Sequence, residues 1–190
     1  MANQISSGVK ELAKRLGSTH ARVLDVGPGH LGKNSIFLAK KGCLVDAVDR
    51  KTEWVESIKR VALTRKLGDR VNAWEGDIRT ARLGKGKYDA VLMCSVIHLI
   101  GDERTARSVV WKIKAATKPG GYNLIELFIK WPGIKSEPDR FIPAPGRIQA
   151  RYKDWKIVKY VERPKFLYRG DWEKRAWMIA RKPAKKRKKG

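Results

Sequence analysis

Short apolar runs alternate with segments of helical periodicity over the first 130 residues of this 190-residue chain. Five runs are mostly apolar, as expected of strands that a sheet buries on both faces. They span residues 23–26, 43–48, 71–74, 88–94 and 122–129. Strands that alternate with helices are typical of a doubly wound parallel sheet, so we predict an α/β fold.

The residues at the ends of the helical segments support this division. Gly17 and Gly42 are predicted to end the first two helices, because glycine adopts the left-handed backbone at a helix end. Thr52 and Asp102 are predicted to cap the third and fourth helices. Pro119-Gly120-Gly121 is predicted to be a turn before the fifth strand.

The pattern changes beyond residue 130. Residues 130–148 contain four prolines and are expected to form an irregular segment over the carboxyl edge of the sheet. Residues 155–161 and 176–180 are predicted to be two closing strands that pair like a hairpin, with a mobile loop over 162–175. The complete prediction is a mostly parallel, seven-stranded sheet whose last strand is antiparallel.

A glycine-rich loop follows the first strand. Gly27, Gly29 and Gly32 match the dinucleotide-binding pattern GxGxxG, and Asp49 lies 20 residues beyond Gly29, where a carboxylate can bind ribose hydroxyls. Asp25 distinguishes a dinucleotide from S-adenosylmethionine as the cofactor, because an acid there would repel a pyrophosphate but attract the ammonium and sulfonium of S-adenosylmethionine. We therefore expect a methyl-donor site rather than a nicotinamide site.

Further candidate site residues fall at the carboxyl ends of predicted strands or in the loops that follow. They are Asp25, Gly27, Gly29, Asp49, Asp77 and Cys94. In open α/β sheets these ends meet where the strand order reverses, which is where such folds bind ligands. Asp49 and Asp77, taken singly, are equally consistent with ordinary solvated acids.

The charge of the chain is high and unevenly distributed. Formal net charge is +24, and residues 151–190 carry 16 Lys or Arg against 4 Asp or Glu. We expect a single domain over residues 1–182 and a basic, disordered tail over 183–190. Such a tail could contact nucleic acid through residues 182–190, act as a nuclear address signal, or only be solvated.

Composition also limits the class of protein. Cys43 and Cys94 lie in apolar surroundings and belong to no CxxC pair, which favours reduced thiols in the cytoplasm. The histidines and cysteines show no metal-ligand spacing, so no metal site is predicted. The chain contains neither an apolar stretch long enough for a membrane span nor the apolar core of a signal peptide after Met1.

Together these motifs resemble the class I S-adenosylmethionine-dependent methyltransferases. Asp25-x-Gly27-x-Gly29 resembles the family's first motif, Asp49 its ribose-binding acid, Asp77-Ile78 its adenine contact and Pro119-Gly120-Gly121 its turn before the fifth strand. The resemblance implies S-adenosylmethionine as the cofactor. The cofactor-binding residues that it implies are Asp25, Gly27, Pro28, Gly29, Asp49, Arg50, Asp77, Ile78 and Cys94.

Three stretches are similar to the tellurite-resistance and related thiol methyltransferases. They are Lys33-Asn34-Ser35, residues 120–125, and the ending formed by residues 152–160 with 178–182. This similarity implies a small acceptor, either a chalcogen oxyanion or a thiol. Tyr168 stands before Arg169, where that subfamily has a substrate-side histidine.

The acceptor-side candidates are Lys33, His98, Tyr168 and Arg169. A cation would bind an oxyanion or thiolate acceptor, with Arg147 and Arg151 placed behind Lys33 and Arg169. His98 is a candidate general base, although on its apolar stretch a packed or helix-start histidine is the more common case.

Two other functions agree with the high basic charge. One is a methyltransferase that acts on RNA, DNA or protein through the basic surface and tail. The other is a non-catalytic nucleic-acid-binding protein built on a methyltransferase scaffold. Exposed tryptophans could stack bases, but Trp111 and Trp155 are expected to be core residues.

Overall fold

A seven-stranded sheet forms the centre of the computed structural model. The structure describes residues 5–17, 20–132, 141–164, 166–168 and 171–185, and of residues 166–168 and 171–173 it describes the backbone only. The described strands are β1 (Arg22–Val26), β2 (Leu44–Asp49), β3 (Val71–Glu75), β4 (Tyr88–Cys94), β5 (Thr117–Phe128), β6 (Lys156–Glu162), β7 (Phe166–Tyr168), β8 (Asp171–Glu173) and β9 (Arg175–Arg181). All of them belong to this sheet except β7 and β8, which pair with each other.

The strand order of this sheet is β3-β2-β1-β4-β5-β9-β6. The first five strands of the chain pair in parallel, whereas β9 lies antiparallel between β5 and β6. The predicted doubly wound, mostly parallel sheet of seven strands is therefore confirmed, and so is its antiparallel last strand.

The described residues form four α-helices: α1 (Ser7–Leu16), which precedes β1, and α2 (Lys33–Lys40), α3 (Thr52–Thr64) and α4 (Glu103–Ala116), which connect strands. Short 3₁₀ turns span Ile97–Leu99 and Gln149–Tyr152. Asp102 caps α4 as predicted, since its Oδ1 accepts a hydrogen bond from Thr105 N at 2.7 Å. The prediction for Thr52 was wrong, because Thr52 is the first helical residue and its hydroxyl donates to Glu75 Oε2 instead.

The sheet separates two apolar layers. Successive residues of β1 alternate between them, with Val23 packing beside α1, α2 and α3, and Leu24 packing beside α4. The α4 layer also includes Tyr152 and Trp155, which follow the irregular segment. This alternation explains why the central strands are continuously apolar, since both of their faces are covered.

Pro119-Gly120-Gly121 differs from the prediction. Instead of a turn that precedes β5, these residues are an insertion within it, because Tyr88 pairs with Thr117 but Ala90 pairs with Tyr122. The ladder is continued on the other side by Lys182, whose N–H donates to Gly121 O at 2.9 Å. The strand therefore begins five residues earlier than its apolar pattern suggests.

The prediction of a loop over residues 162–175 is wrong in one respect, because β7 and β8 pair within this segment as a short antiparallel ladder. Residues 133–140 and 186–190, which belong to the predicted irregular segment and tail, lie outside the described residues. Within the described ranges, no helix combines the length and apolar content that crossing a bilayer requires.

Trp111 is the clearest error in the predicted core. Its side chain is 69% exposed, whereas Trp155 is buried as expected. The buried stripe of α4 runs through Ala106, Val110 and Ile113. Because successive helical residues are about 100° apart, residue 111 points away from that stripe.

Asp46 forms a polar cluster at the opposite end of the sheet from the glycine loop. Its carboxylate is buried and accepts hydrogen bonds from Tyr88 Oη at 2.9 Å, Asn72 Nδ2 at 3.2 Å and Arg22 Nη2 at 3.0 Å, with Lys87 Nζ at 3.2 Å. Burial raises the pKa of Asp46, but these four donors outweigh burial, so the pKa lies below its ordinary value.

We expect Asp46→Asn to lower the free energy of unfolding at pH 7 by about 2 kcal/mol, because an amide is a weaker acceptor for charged donors. Because the carboxyl pKa of Asp46 is lower in the folded than in the unfolded protein, its ionisation stabilises the fold at pH values above the unfolded pKa. This stabilisation is lost as the pH falls through the folded pKa. The difference in urea unfolding between the wild type and the variant should therefore shrink as the pH is lowered from 7 to about 3. The exposed Asp69→Asn is the matched control, and an equal difference at both pH values would contradict this account.

Candidate active site

The direction of winding reverses at β1, which lies between β2 and β4. From β1 the chain proceeds to β2 and β3 on one side and then to β4 and β5 on the other. The carboxyl ends of β1 and β4 therefore flank a crevice, where open α/β sheets bind ligands.

The glycine loop between β1 and α2 forms the floor of this crevice. Gly27 has a φ of +64°, and a Cβ there would lie 2.4 Å from Val96 Cγ2. Gly32 has a φ of +52°, and its Cβ would lie 2.9 Å from Ile58 Cγ1. A side chain at either position would be strained and would collide with a neighbour, so the loop depends on glycine.

A cleft of about 360 Å³ opens above this loop. Eight of the nine predicted cofactor-binding residues line it: Gly27, Pro28, Gly29, Asp49, Arg50, Asp77, Ile78 and Cys94. These residues come from the ends of β1, β2, β3 and β4, as the pattern of strand-end residues predicted. The ninth, Asp25, lies just beneath the loop.

Asp25 is a buried carboxylate with one unused oxygen. Ser35 Oγ donates to its Oδ2 at 2.6 Å, and its Oδ1 has no hydrogen-bond partner among the residues that the structure describes. Burial raises the pKa of Asp25 to about 7; the Ser35 hydrogen bond lowers it and the nearby Asp49 charge raises it by smaller amounts. An unpartnered buried acceptor of this kind is costly unless a donor or cation binds to it.

Asp49 and Asp77 occupy different electrostatic settings in the same cleft. Asp49 is buried at the end of β2, and its Oδ1 accepts from Lys51 N at 3.1 Å. Asp77 accepts from the Arg79 guanidinium through both oxygens, and these hydrogen bonds hold its pKa below the usual range. The Asp77 carboxyl is therefore ionised at neutral pH.

Apolar side chains form the remaining walls of the cleft. Leu99 lines it although its side chain is 56% exposed, and Ile78 and Ile100 are buried beside it. Trp54 lines the same cleft with Lys51 Nζ 4.4 Å above its ring. A flat aromatic ligand would cover the exposed Leu99.

A second cavity of about 400 Å³ adjoins the cleft. The two cavities share Pro28, Gly29, Cys94 and Ser95. Ser95 is a non-glycine residue with a φ of +58°, a strained conformation of the kind found at functional sites. The order along the sheet edge is thus cleft, β4 end and second cavity.

Glu126 and Lys33 line the second cavity. Glu126 is buried near the end of β5, where it pairs in register with Cys94, and its Oε2 has no hydrogen-bond partner in the described part of the chain. Burial, with smaller contributions from Glu126 and Asp25, raises the pKa of the Cys94 thiol well above its ordinary value. Cys94 is therefore a neutral thiol at pH 7 rather than a nucleophile.

The other predicted acceptor-side residues do not gather at this cavity. His98 is buried in the 3₁₀ turn, and its ring packs edge-on against Phe128 with centroids 4.6 Å apart. Arg147 and Arg151 line a different groove, where both contact Glu103. The Tyr168 side chain and Arg169 lie outside the described residues.

Sequence reasoning missed three residues of the site. Ser35 is fully buried against Asp25, Ser95 connects the two cavities, and Glu126 contributes an acid to the second. Glu126 follows the same rule as the other strand-end acids, since it lies toward the carboxyl end of β5. Glu126 was not identified from the sequence as a strand-end acid because it lies inside a mostly apolar strand.

The sequence profile of the family described as "Tellurite resistance protein TehB" matches residues 2–178. The chain belongs to this family. The resemblance predicted from the sequence is thereby confirmed, both to class I methyltransferases and to the tellurite-resistance group.

The TehB relatives are longer than this chain. The probable S-adenosyl-L-methionine-dependent methyltransferase TehB of Haemophilus influenzae is 28% identical over 168 residues, which cover 85% of this chain and 57% of that protein. Hemagglutinin 1 of Eikenella corrodens is 29% identical over 169 residues, which cover 85% and 55%. The chain thus spans little more than half the length of these curated relatives.

The fold of the TehB family is present over nearly the whole chain. The crystal structure of TehB from Haemophilus influenzae matches with a TM-score of 0.81 and 26% sequence identity, over 94% of this chain and 62% of that one. The crevice between β1 and β4 is therefore part of a shared architecture.

We expect Asp25→Asn to stabilise this TehB-family chain at pH 8. The folded pKa of about 7 lies above the unfolded value, so ionisation destabilises the fold progressively between about pH 4 and pH 7, by at most about 4 kcal/mol. The variant cannot ionise and avoids that cost. Thermal unfolding should show a higher Tm for the variant at pH 8 and little difference at pH 4.

The exposed Asp69→Asn serves again as the control, since it should not change the Tm at either pH. A Tm shift for Asp25→Asn that is the same at pH 4 and pH 8 would mean that burial of the charge is not its cause.

Proposed function

We propose that this chain is an S-adenosylmethionine-dependent methyltransferase acting on a small nucleophile. The observation that carries the proposal is the unpartnered Oδ1 of the buried Asp25 beneath a glycine loop. A cationic ligand would supply the missing partner, and S-adenosylmethionine carries an ammonium and a sulfonium. The name of the Haemophilus influenzae relative supports the same cofactor.

The residues of the cleft fit the parts of this cofactor. Asp25 would bind the amino group, Asp49 the ribose hydroxyls, and Asp77 with the Ile78 backbone the edge of the adenine. The apolar wall at Leu99 would cover the adenine face. When bound, S-adenosylmethionine supplies an electrophilic methyl group on sulfur.

The acceptor would bind in the second cavity, on the far side of Cys94 and Ser95. Its volume of about 400 Å³ is suited to a small molecule rather than to a polymer. In-line attack on a methyl group requires close positioning and a water-poor site more than it requires an acid or a base. The buried ends of β4 and β5 would provide that setting.

Glu126 favours a thiol over a chalcogen oxyanion. A thiol can give its proton to the unpartnered Oε2 of Glu126 as its sulfur becomes the nucleophile. An oxyanion would bring a second negative charge beside a buried carboxylate, which is unfavourable. Lys33 on the same cavity would orient the acceptor or moderate that repulsion.

Transfer of radiolabelled methyl from S-adenosylmethionine tests this function. The panel comprises small thiols, tellurite, selenite, RNA, DNA and a basic protein. We expect label in the small-molecule or volatile fraction, highest with thiols, and a loss of at least about tenfold for Asp25→Asn because one charged contact is worth this much.

Isothermal titration with S-adenosylhomocysteine separates the two parts of the proposal. An absence of binding would overturn the cofactor assignment. Label that accumulates in RNA, DNA or protein would retain the cofactor and overturn the small acceptor.

We expect Glu126→Gln to reduce methyl transfer to thiols by about 100-fold, since the variant cannot accept a proton. Affinity for S-adenosylhomocysteine should stay within about twofold of the wild type, because Glu126 lines only the second cavity. Glu56→Gln, at an exposed position on α3, is the matched control. Equal turnover by Glu126→Gln and the wild type would remove Glu126 from the reaction.

A further inference from the structure

A groove of about 460 Å³ runs between α4 and the 3₁₀ turn Gln149–Tyr152, and it shares no lining residue with the two cavities of the active site. Five basic and two acidic side chains line it, together with Trp111. From this groove we propose a second binding site, for single-stranded nucleic acid, that does not depend on the proposed methyl transfer.

The acids of the groove are already paired. Glu103 accepts from Arg147 and Arg151 at 3.0 and 2.5 Å, and Asp154 contacts Lys114 at 2.5 Å.

The remaining two cations of the groove, Arg107 and Lys153, form no ion pair with any residue in the described part of the chain. The groove therefore presents a net positive charge that the protein itself does not neutralise. Phosphate groups are the natural complement to such a surface.

Trp111 supplies the second element of the site. Its indole is 69% exposed on a surface that is otherwise mostly charged, with Arg107 one turn earlier and Lys114 about one turn later on α4. An exposed aromatic ring between cations is the usual platform on which an unpaired base stacks while its phosphates bind beside it. Bases in a duplex are already stacked, so this geometry favours a single strand.

The basic tail begins at one end of this groove. Lys182 Nζ donates to Lys114 O at 2.8 Å and to Thr117 O at 2.7 Å, which holds residue 182 at the carboxyl end of α4. Five more Lys or Arg follow within residues 183–190. Lys182 is therefore held beside Lys114 of the groove, and the residues that follow it in the sequence carry further positive charge.

An anionic membrane would be attracted to the same charges, but α4 is poorly suited to it. Helices that lie on membranes present several apolar side chains on one face. Among the described residues, the other exposed large hydrophobic side chains are Leu31, Leu44, Leu63 and Leu99, and none of them lies on α4. A single indole among charges matches a base better than a lipid surface.

Fluorescence anisotropy of the full chain with labelled oligouridylate and oligodeoxythymidylate of about 12 nucleotides, without S-adenosylmethionine, tests this site. We expect Trp111→Ala to weaken binding by about tenfold and Trp111→Phe by less than about threefold, because phenylalanine retains a stacking face. Arg107→Ala should weaken binding and lower the slope of log Kd against log salt by about 0.7. Leu63→Ala, which removes an equally exposed apolar side chain from α3, is the matched control.

The proposal would be overturned if neither oligonucleotide bound at about 100 mM salt, or if the wild type, Trp111→Ala and Arg107→Ala bound equally well. Loss of all binding on deletion of residues 183–190 would assign the contact to the tail alone and would also overturn it. So would Trp111-dependent binding to anionic vesicles without binding to oligonucleotides. Unchanged binding of S-adenosylhomocysteine by the same variants would show that the two sites are separate, so that failure of either proposal is seen independently.

Discussion

The burial of Asp25 with no counterion among the described residues is the constraint on which the site depends. β1 is flanked by β2 and β4, so a carboxyl group near its end is removed from water by both neighbours and by the glycine loop above it. Ser35 satisfies one oxygen only, and the pKa of about 7 reflects how little else compensates the charge. The fold thus holds a group that is costly in the free protein and useful once a cation binds.

The remaining features of the cleft follow from that arrangement. Gly27 must lack a side chain for the loop to pass close to Val96, and Gly32 must lack one for α2 to pack on Ile58. Asp25, two residues before Gly27, is excluded from water and is only 1% exposed. The same exclusion makes any electrostatic contact in the cleft stronger than it would be at the surface.

Much of this could be predicted from the sequence because buried parallel strands are apolar throughout. Once the runs ending near Asp25, Asp49 and Cys94 are identified as strands, their carboxyl ends must meet at one edge of the sheet, and the structure has them lining one crevice. Asp102 was predictable as a cap because capping is a local interaction within one turn.

The errors arose where distant contacts override local preference. Thr52 could have capped α3, but Glu75, on the neighbouring strand, takes its hydroxyl. Pro119-Gly120-Gly121 has the composition of a turn, yet pairing with Lys182 keeps it within β5. Glu126 was overlooked because a single acid inside an apolar run carries no periodic signal, and only the register with Cys94 brings it to the site.

The distribution of charge separates two kinds of chemistry on one domain. The chain has 43 basic and 19 acidic residues, so its overall field repels a cationic cofactor. In the proposed cofactor cleft, Asp25 and Asp49 can overcome that repulsion because they act over a few ångströms in a buried setting, where attraction is screened little. Arg107 and Lys153 of the α4 groove, which form no ion pair within the described residues, are exposed to solvent and so accessible to the phosphates of the proposed polyanion. Under the two proposals, burial of the acids and exposure of the bases would let one highly basic chain bind ligands of opposite charge at separate places.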